Sequence, residues 1–320
     1  MSEARPFVSV VVPTHRRPAS LSRCLESLLA LDYPADRIEV LVVHNWSDDG
    51  TPKVVEDLGA RAPFPVTYVR RDGRGPAPSR HYGGVAARGT FVAFIDDDCQ
   101  ATPSWLSAAV AAFAPGVGFV QGATLPNPGH RRHFLEKTVN VPGPSPWFET
   151  CNIVYRREAF LAVGGFEGAF ADRFYGEDTD LARRVIRAGY APGFSAQAVV
   201  HHDVTSQSLA RWLLECWHLR SIPLLAREWP ELREAFYLRV FLSRQSAAFD
   251  LGLLGVLAAP LVGGWSLLLV LPFFFVRLLE PGRFGNPALV AVRSLLGLPR
   301  ACVTFAALAL GSLRHRSLVL

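Results

Sequence analysis

The sequence predicts an α/β protein with a mostly parallel sheet and flanking helices, followed by an apolar helical segment at the carboxyl end. As far as residue 122, short β-branched and aromatic runs alternate with amphipathic helical stretches, a pattern typical of βαβ units around a sheet buried on both faces. The last 80 residues combine long uncharged stretches with a few arginines. Half of the 320 residues are hydrophobic and only 19% are charged, which excludes a disordered chain.

The strands and helices of the first part follow from these runs. The predicted strands are 7–12, 38–43, 66–69, 91–95 and 117–122, and the predicted helices between them are 20–30, 79–88 and 104–113. In the first helix, Leu21, Leu25 and Leu28 share one face. Ligands of such sheets bind at the carboxyl ends of the strands, so we expect the functional residues there.

Beyond residue 122 the sequence predicts the second half of the catalytic domain and then a region of different composition. Residues 123–149 are rich in Pro, Gly, Arg and His and predict a loop insertion. Helices are predicted at 157–163, 178–188 and 208–227. We therefore expect a catalytic domain over 1–205, with halves 1–122 and 123–205, then a helical linker over 206–245 and a membrane-associated helical region over 246–320.

The charge distribution favours a membrane over a nucleic acid as partner. Lys and Arg number 33 and Asp and Glu 28, a net charge of +5. After residue 240 seven arginines face only Asp250 and Glu280. The basic excess thus lies on the apolar end, where an anionic membrane surface would attract it, whereas nucleic-acid binding would place it on the folded domain.

The apolar end contains a run, Leu251 to Val276, of 26 residues without a charge, which is long enough to span a bilayer. Pro260 and the Gly263-Gly264 pair divide it into two halves. The segment is either a buried helical hairpin or membrane-embedded, as a re-entrant hairpin, a tilted span or in-plane helices. The arginines that separate it from the second apolar run, at 301–313, favour a hairpin that returns to a cytoplasmic starting side; they are Arg277, Arg283, Arg293 and Arg300.

Two acidic motifs could carry chemistry. Asp96, Asp97 and Asp98 directly follow the apolar strand 91–95, and three adjacent carboxylates repel one another unless a cation such as Mg²⁺ or Mn²⁺ binds them. A solvated turn is the alternative. Glu177 and Asp178 begin a predicted helix, where they either cap amides or offer a general base to an attacking hydroxyl.

Five stretches between Val8 and His201 carry a family resemblance through their order and spacing. They read VSVVVPTHRRPASLSRCLESLL, SDDGT, GPAPSRHYGGVAARGTFVAFIDDD, NIVYRREAFLAVGGFEGAF and YGEDTDLARRVIRAGY. Together they resemble the family 2 glycosyltransferases of the GT-A fold. The resemblance implies an enzyme that transfers a sugar from a nucleotide diphosphate sugar, with inversion at the anomeric carbon and with Mg²⁺ or Mn²⁺ as the metal.

The resemblance also implies roles for individual residues. Asp178 is similar to the catalytic base and Glu177 to its acidic neighbour. Asp98 is similar to the metal ligand that bridges to the diphosphate. His201, after the last strand, is expected to complete the metal shell or to contact phosphate, with His202 as the second candidate and a structural role as the alternative. The residues expected to bind the nucleotide sugar are Pro13, Thr14, His44, Asp49, Arg80, Asp96 and Asp97. Among these, Asp96 is expected near the donor ribose and Arg80 at the phosphates.

The sequence departs from the family pattern at two places. His44 stands where the family has an acid that pairs with the nucleobase, and Trp46 stands where glycine is common. A histidine can hydrogen-bond a base and a tryptophan can stack on it, so donor binding can persist with a changed preference. His81 and Tyr82 replace the usual Asn and small residue.

The function expected from the sequence is the addition of one sugar to a lipid-linked or membrane-proximal glycan acceptor, by a membrane-associated enzyme whose catalytic domain is cytoplasmic. QSLARW at 207–212 is similar to the Gln-x-x-Arg-Trp signature of processive polysaccharide synthases but has one residue too many. A processive synthase is therefore one alternative. A catalytically silent membrane scaffold is the other.

Overall fold

A computed structural model of the chain describes residues 5–72, 75–130, 134–170, 175–279 and 287–320, and for 287–290 it describes the backbone alone. Arg283, one of the arginines between the apolar runs, lies outside the described residues. The chain divides into two units, 5–130 with 138–205 and 134–137 with 206–320. The expected linker, 206–245, and the expected apolar region, 246–320, thus belong to one unit.

The first unit is built on an eight-stranded sheet. Its strands are β1 (Val8–Thr14), β2 (Ile38–Asn45), β3 (Val66–Arg71), β4 (Phe91–Ile95), β5 (Cys99–Ala101), β6 (Val117–Pro126), β8 (Asn152–Arg156) and β9 (Ala191–His202). The spatial order is β3-β2-β1-β4-β8-β6-β9-β5. β1, β2, β3 and β4 run parallel, β8 is antiparallel to β4 and β6, and β5 is antiparallel to β9. Two-residue strands are β7 (Glu136–Lys137) and β10 (Thr205–Ser206).

Helices cover both faces of this sheet. They are α1 (Pro18–Leu29), α2 (Thr51–Gly59), α3 (Pro76–Ala86), α4 (Trp105–Ala111), α5 (Arg157–Ala162) and α6 (Glu177–Arg187). Val10 and Val12 of β1 pack in one apolar cluster with α1, α2 and α4, whereas Val11 packs in the other with α3, α5 and α6. This alternation is the period of two that a strand imposes. The predicted α/β class with flanking helices is confirmed; the sequence interpretation missed α2 and the length of β9.

Small residues let α3 lie unusually close to the sheet. A Cβ atom on Gly83 would collide with Val11, and one on Gly84 would lie 2.6 Å from Cε1 of Phe160. A larger residue at either position would push the helix away from β1 and β4. Because Arg80 lies one turn before Gly83, this close packing holds its guanidinium over the end of the sheet.

The second unit is helical. Its helices are α7 (Leu209–Leu214), α8 (Ile222–Glu228), α9 (Arg244–Val262), α10 (Leu271–Leu279) and α11 (Pro287–His315). The prediction of a single helix over 208–227 is wrong, because a 3₁₀ segment, Glu215–Ser221, separates α7 from α8. This segment ends two residues before Pro223, which has no backbone N–H to continue the helical hydrogen bonds. Two helical stretches, Arg244–Val262 and Ala291–His315, are long and apolar enough to cross a membrane by length and composition.

Candidate active site

Three parallel strands end together at one edge of the sheet, which we call the carboxyl edge. Thr14 at the end of β1 pairs in register with His44 near the end of β2, and β4 runs beside β1 before it leads into Asp96. Pro13 and Thr14 are buried there. β8 is antiparallel, so its start, Asn152, lies beside Ile95 at the end of β4. Residues far apart in sequence thus meet at this edge.

The first acidic group at the carboxyl edge is the Arg80 cluster, which consists of Arg80, Asp96, Glu177 and Asp178. Arg80 Nη2 donates to Asp96 Oδ1 at 2.6 Å, and Nη1 donates to Asp178 Oδ1 at 3.2 Å. Glu177 Oε1 lies 3.6 Å from Nη1. The guanidinium is buried. Residues of both acidic motifs, Asp96 and Asp178, therefore contact one buried guanidinium.

The pKa values of the two carboxyl groups at the start of α6, those of Glu177 and Asp178, are both shifted by their surroundings. Burial, together with the neighbouring Asp178, raises the pKa of Glu177 to about 8. Burial also raises the pKa of Asp178, while Arg80 and the backbone N–H of Thr150 lower it. Three carboxyl groups around one guanidinium leave an excess of negative charge, which a proton on one of them relieves. The pKa of about 8 keeps Glu177 mostly protonated at neutral pH, while Asp178 makes the closer contact with Arg80.

A backbone contact fixes the orientation of Asp178. The N–H of Thr150 donates to Asp178 Oδ2 at 2.9 Å, while Oδ1 accepts from Arg80. Thr150 stands just before β8, which the antiparallel pairing brings to the carboxyl edge. On the helix side, Gly176 precedes α6 with φ +103°, a conformation that glycine adopts without strain. Asp178 is thus held by two elements.

The second acidic group is the Arg17 cluster, which consists of Arg17, Asp97 and Asp98. Arg17 Nη1 donates to Asp98 Oδ2 at 2.6 Å and to Asp97 Oδ1 at 3.2 Å. The Arg17 side chain is 47% exposed. Thr14 Oγ1 donates to Asp97 Oδ2 at 2.7 Å, and burial together with Asp98 raises the pKa of Asp97 to about 7. A displaceable guanidinium here balances the charge of two carboxylates.

His202 completes a group that fits a divalent cation. Its Nε2 lies 3.4 Å from Asp98 Oδ1, and its Nδ1 lies 2.8 Å from the carbonyl oxygen of Asp203. Because a carbonyl only accepts, Nδ1 carries a proton, and Nε2 faces the Asp98 carboxylate with either a lone pair or a second proton. With a lone pair on Nε2, the two facing acceptors can hold a metal ion between them, since imidazole nitrogen is a common metal ligand and carboxylate oxygen suits Mn²⁺.

Cys99 lies in the same group, since its thiol and ligand atoms of Asp98 and His202 are all within 4.8 Å of one another. The thiol is buried, and its contact with Cys151 together with burial raises its pKa well above the ordinary value. A protonated thiol is a poor ligand for a hard cation. Asp98 and His202 are therefore the better ligand pair.

The structure places His202, and not His201, next to Asp98. In the antiparallel pairing of β5 with β9, Cys99 stands opposite His202 and Gln100 opposite His201. Successive side chains of a strand point to opposite faces. Since His202 is next to Asp98, His201 is directed away from it. The sequence named both histidines, but the choice between them depends on strand register.

The residues expected at the nucleobase are organised around a buried histidine. His44 is fully buried, with Nδ1 2.9 Å from the hydroxyl of Tyr68 and Nε2 2.9 Å from Oγ of Ser47. Ser47 in turn donates to Asp49. Both nitrogens of His44 are thus engaged, and burial lowers its pKa. In this arrangement His44 supports the loop that carries Asp49, instead of offering a free nitrogen to a base.

Trp46 on the same loop presents a partly exposed aromatic face. Its side chain is 41% exposed, and the guanidinium of Arg70 stacks 3.4 Å from its ring centroid. Sequence reasoning had singled out Trp46 but not Arg70, nor Arg17 or Thr150. For Arg17 a signal was available, because an arginine that follows the first strand ends near the acids that follow β4 in a parallel sheet.

Comparison with known protein families gives two overlapping matches. The family described as "Glycosyl transferase family 2" matches residues 9–171. The family described as "Glycosyl transferase family group 2" matches residues 91–298. The two matches include the whole carboxyl edge and most of the second unit.

Curated relatives are glycosyltransferases or proteins of polysaccharide synthesis. "Glycosyltransferase AglE" of Haloferax volcanii is 26% identical over 211 residues, covering 63% of this chain and 68% of the relative. "Succinoglycan biosynthesis protein ExoM" of Rhizobium meliloti is 29% identical over 218 residues, covering 64% and 70%. "Pre-mycofactocin glycosyltransferase" of Mycobacterium tuberculosis is 30% identical over 227 residues, covering 64% of this chain but 44% of the relative.

Two solved structures share the fold. Mannosyltransferase PcManGT from Pyrobaculum calidifontis, in complex with GDP-Man and Mn²⁺, has a TM-score of 0.61 at 22% identity and covers 98% of this chain and 88% of its own. S. aureus TarS 1-349, in complex with UDP-GlcNAc, has a TM-score of 0.54 at 16% identity, covering 97% and 92%. These likenesses establish a GT-A fold.

Proposed function

Because the chain belongs to glycosyl transferase family 2, we propose that it moves one sugar from a nucleoside diphosphate sugar to a hydroxyl of a lipid-linked or membrane-proximal acceptor, with inversion at the anomeric carbon. One observation carries this proposal. A single guanidinium, that of Arg80, contacts both Asp96 on the donor side and Asp178 on α6. A carboxylate suited to a base therefore shares one pocket with the strand-end acids.

The donor would lie along the carboxyl edge. Its nucleotide would meet Pro13, Thr14 and the loop with Asp49, and its ribose would lie near Asp96. The solved neighbours hold GDP-Man in one case and UDP-GlcNAc in the other, which supports a nucleotide sugar of either base. Arg80 already bonds to two carboxylates, so its proposed role is to position Asp178, in place of the phosphate contact expected earlier.

Asp98 and His202 would hold the Mg²⁺ or Mn²⁺, next to Asp97. When bound, the metal neutralises charge that develops on the leaving diphosphate. The protein's own arrangement supports this proposal, because Arg17 now supplies positive charge at the same carboxylates from a partly exposed position. Asp97 is held in place by Thr14.

The acceptor side would work through Asp178. The acceptor hydroxyl gives its proton to the carboxylate of Asp178 as its oxygen forms a bond to the anomeric carbon, and the bond from that carbon to the diphosphate oxygen breaks. This single displacement inverts the configuration. The raised pKa of Asp178 brings it toward the working pH, where a general base is most effective. Thr150 and Arg80 keep the carboxylate fixed.

Replacement of Asp178 by Asn tests the proposal. The amide cannot accept the proton, so we expect kcat to fall by about 10³-fold or more, while the binding of a nucleoside diphosphate with Mn²⁺, measured by calorimetry, stays near the wild-type value. Asp57→Asn, an exposed carboxylate of α2, is the matched control and should retain full turnover. Undiminished turnover in Asp178→Asn would remove the assignment.

Product length and acceptor class separate the remaining possibilities. We expect one added sugar per acceptor, measured by mass spectrometry of the product. A ladder of longer products would indicate the processive synthase instead, and absence of turnover with every nucleotide sugar, despite nucleotide binding, would indicate a silent scaffold. Full activity of a wholly soluble enzyme, from detergent-free lysis, on a water-soluble acceptor would argue against the membrane-proximal acceptor and the cytoplasmic-face location proposed with it.

A further inference from the structure

The two stretches that could cross a membrane have different surroundings within the second unit. One face of α11 packs on the helices that precede it: Arg300 Nη1 donates to the carbonyl of Trp212 at 2.6 Å, and its guanidinium stacks 4.4 Å from the Trp212 ring centroid. A Cβ on Gly311 would collide with the carbonyl of Arg220, and Leu308 is fully buried. α11 thus contacts protein along one face, while leucines such as Leu295 and Leu313 are exposed on the rest of the helix.

The other stretch folds back on itself. Beyond α9 the chain turns at Gly263, which has φ +89°, and returns through the 3₁₀ segment Gly264–Val270 into α10. The return is packed closely, because Oγ of Ser266 donates to the carbonyl of Gly255 at 2.7 Å. Nearer the open end, the rings of Phe249 and Phe273 lie 5.8 Å apart. We call residues 251–276 the apolar hairpin.

The tip of the apolar hairpin is uncovered. Leu261 is 88% exposed and Trp265 is 83% exposed, with Val262 and Leu268 also exposed. The hairpin contains no charged side chain. A contiguous exposed surface of large apolar side chains is rare on soluble proteins and marks a surface that binds a partner or a membrane.

Charge and length identify the occupant. Because the hairpin reverses, the charged residues that flank it lie at the same end. They are Arg244 and Asp250 before its first helical arm and Arg277 after its second. Residues 251–263 rise about 18 Å at 1.5 Å per residue, close to the roughly 15 Å depth of one leaflet of a 30 Å hydrocarbon core. A second protein copy would require neither this complete lack of charged side chains nor this depth.

We propose that the apolar hairpin inserts into a single leaflet of a bilayer, with Leu261 and Trp265 among the acyl chains and with the arginines of its open end at the headgroups. The chain is then monotopic: it enters and leaves the membrane on one side. This inference shares with the proposed function only the idea that the acceptor lies near the membrane. Membrane insertion can be measured without any sugar transfer.

Vesicle flotation of the full chain tests the proposal. We use vesicles of phosphatidylcholine and phosphatidylglycerol with wild type, Leu261→Glu and Trp265→Glu. A carboxylate at the tip must be desolvated, so we expect vesicle binding to weaken on the order of tenfold or more. Leu313→Glu, at an 80% exposed leucine of α11, is the matched control and should float like wild type. Circular dichroism confirms that each variant folds.

A second experiment measures how deeply the tip of the apolar hairpin lies in the bilayer. Cys302 is the exposed cysteine, so a Cys302→Ser, Leu261→Cys variant carries an environment-sensitive fluorophore at the tip. We expect quenching by nitroxides attached near the methyl ends of the acyl chains, and none by a water-soluble quencher sealed inside the vesicles. Quenching from the lumen would show a spanning segment and overturn the proposal.

Three other outcomes would overturn it. The first is that the tip variants float like wild type. The second is that Leu313→Glu loses flotation to the same extent as they do. The third is that the tip variants convert a dimer to a monomer in solution without losing vesicle binding. The last result would assign the tip to a second copy of the chain. Turnover of nucleotide sugars on lipid-linked acceptors in detergent, measured in the same variants, keeps the tests separate: its absence in wild type defeats the proposed function, while flotation alone decides the insertion.

Discussion

The Arg80 cluster and the Arg17 cluster lie at the same edge of one sheet, yet they balance charge in opposite ways. Arg80 is buried and is bonded to carboxylates that arrive from two distant parts of the chain. Arg17 is half-exposed and contacts two neighbouring carboxylates of one turn. Each cluster has an arginine among acids, but only the second arginine can leave into water.

The difference separates a permanent counter-charge from a replaceable one. Removal of a buried guanidinium leaves partly buried carboxylates without their cation, which is costly, whereas a half-exposed ion pair exchanges readily with solvent. Arg80 therefore suits the positioning of Asp178, and Arg17 suits a site in which a metal ion takes over the charge. Four measurements test this contrast.

The largest expected effect is on stability when Arg80 is replaced by Met. Asp96 and Asp178 lose their buried cation, so we expect the free energy of unfolding, measured with urea, to fall by about 3–5 kcal/mol. Arg80→Lys keeps the positive charge but not the bidentate geometry of the guanidinium, so it should lose less stability than Arg80→Met. A loss under about 1 kcal/mol in Arg80→Met would show that the cluster is not a buried ion pair.

The next effect concerns the metal ligand. We expect His202→Ala to weaken Mn²⁺ binding, followed by electron paramagnetic resonance, by at least about tenfold. His201→Ala is the matched control one residue away, on the opposite face of β9, and should bind Mn²⁺ like wild type. Equal losses in both variants, or a loss confined to His201→Ala, would contradict the position of His202 next to Asp98.

A smaller effect is expected in the pH dependence of stability. The pKa of Glu177 is raised from 4.5 to about 8, so the folded chain binds this proton more tightly than the unfolded chain. The free energy of unfolding should therefore fall as the pH rises between 4.5 and about 8. Glu177→Gln cannot lose the proton and should gain on the order of 1 kcal/mol relative to wild type over this interval. Parallel pH profiles of the two proteins would contradict the burial of a protonated Glu177.

The smallest effect is expected for Arg17→Met. Because Arg17 is half-exposed, its ion pairs contribute little, and the free energy of unfolding should change by less than about 1 kcal/mol. The same urea experiment as for Arg80→Met provides the comparison. If the two variants lost equal stability, the contrast between the clusters would disappear.

The sequence was a good guide to elements and a poor guide to contacts. Runs such as 91–95 predicted strands, and their position before three aspartates predicted an acidic strand end. The convergence of Asp96 with Asp178 also followed, through the family pattern. Arg80, however, was expected at the phosphates, and the structure bonds it to carboxylates. His44 was expected at a base, and the structure buries it against Tyr68 and Ser47.

By itself, the sequence determined the α/β class, the acids at the end of β4 and at the start of α6, and the uncharged run at 251–276, because each depends on patterns a few residues long. Only the tertiary structure decided which charges meet. Arg80 and Asp178 are 98 residues apart, and their contact depends on the close packing of α3. The choice of His202 over His201 depends on strand register, and the exposure of Leu261 depends on a reversal at Gly263. Such distances and directions arise from packing between remote segments, which local pattern does not encode.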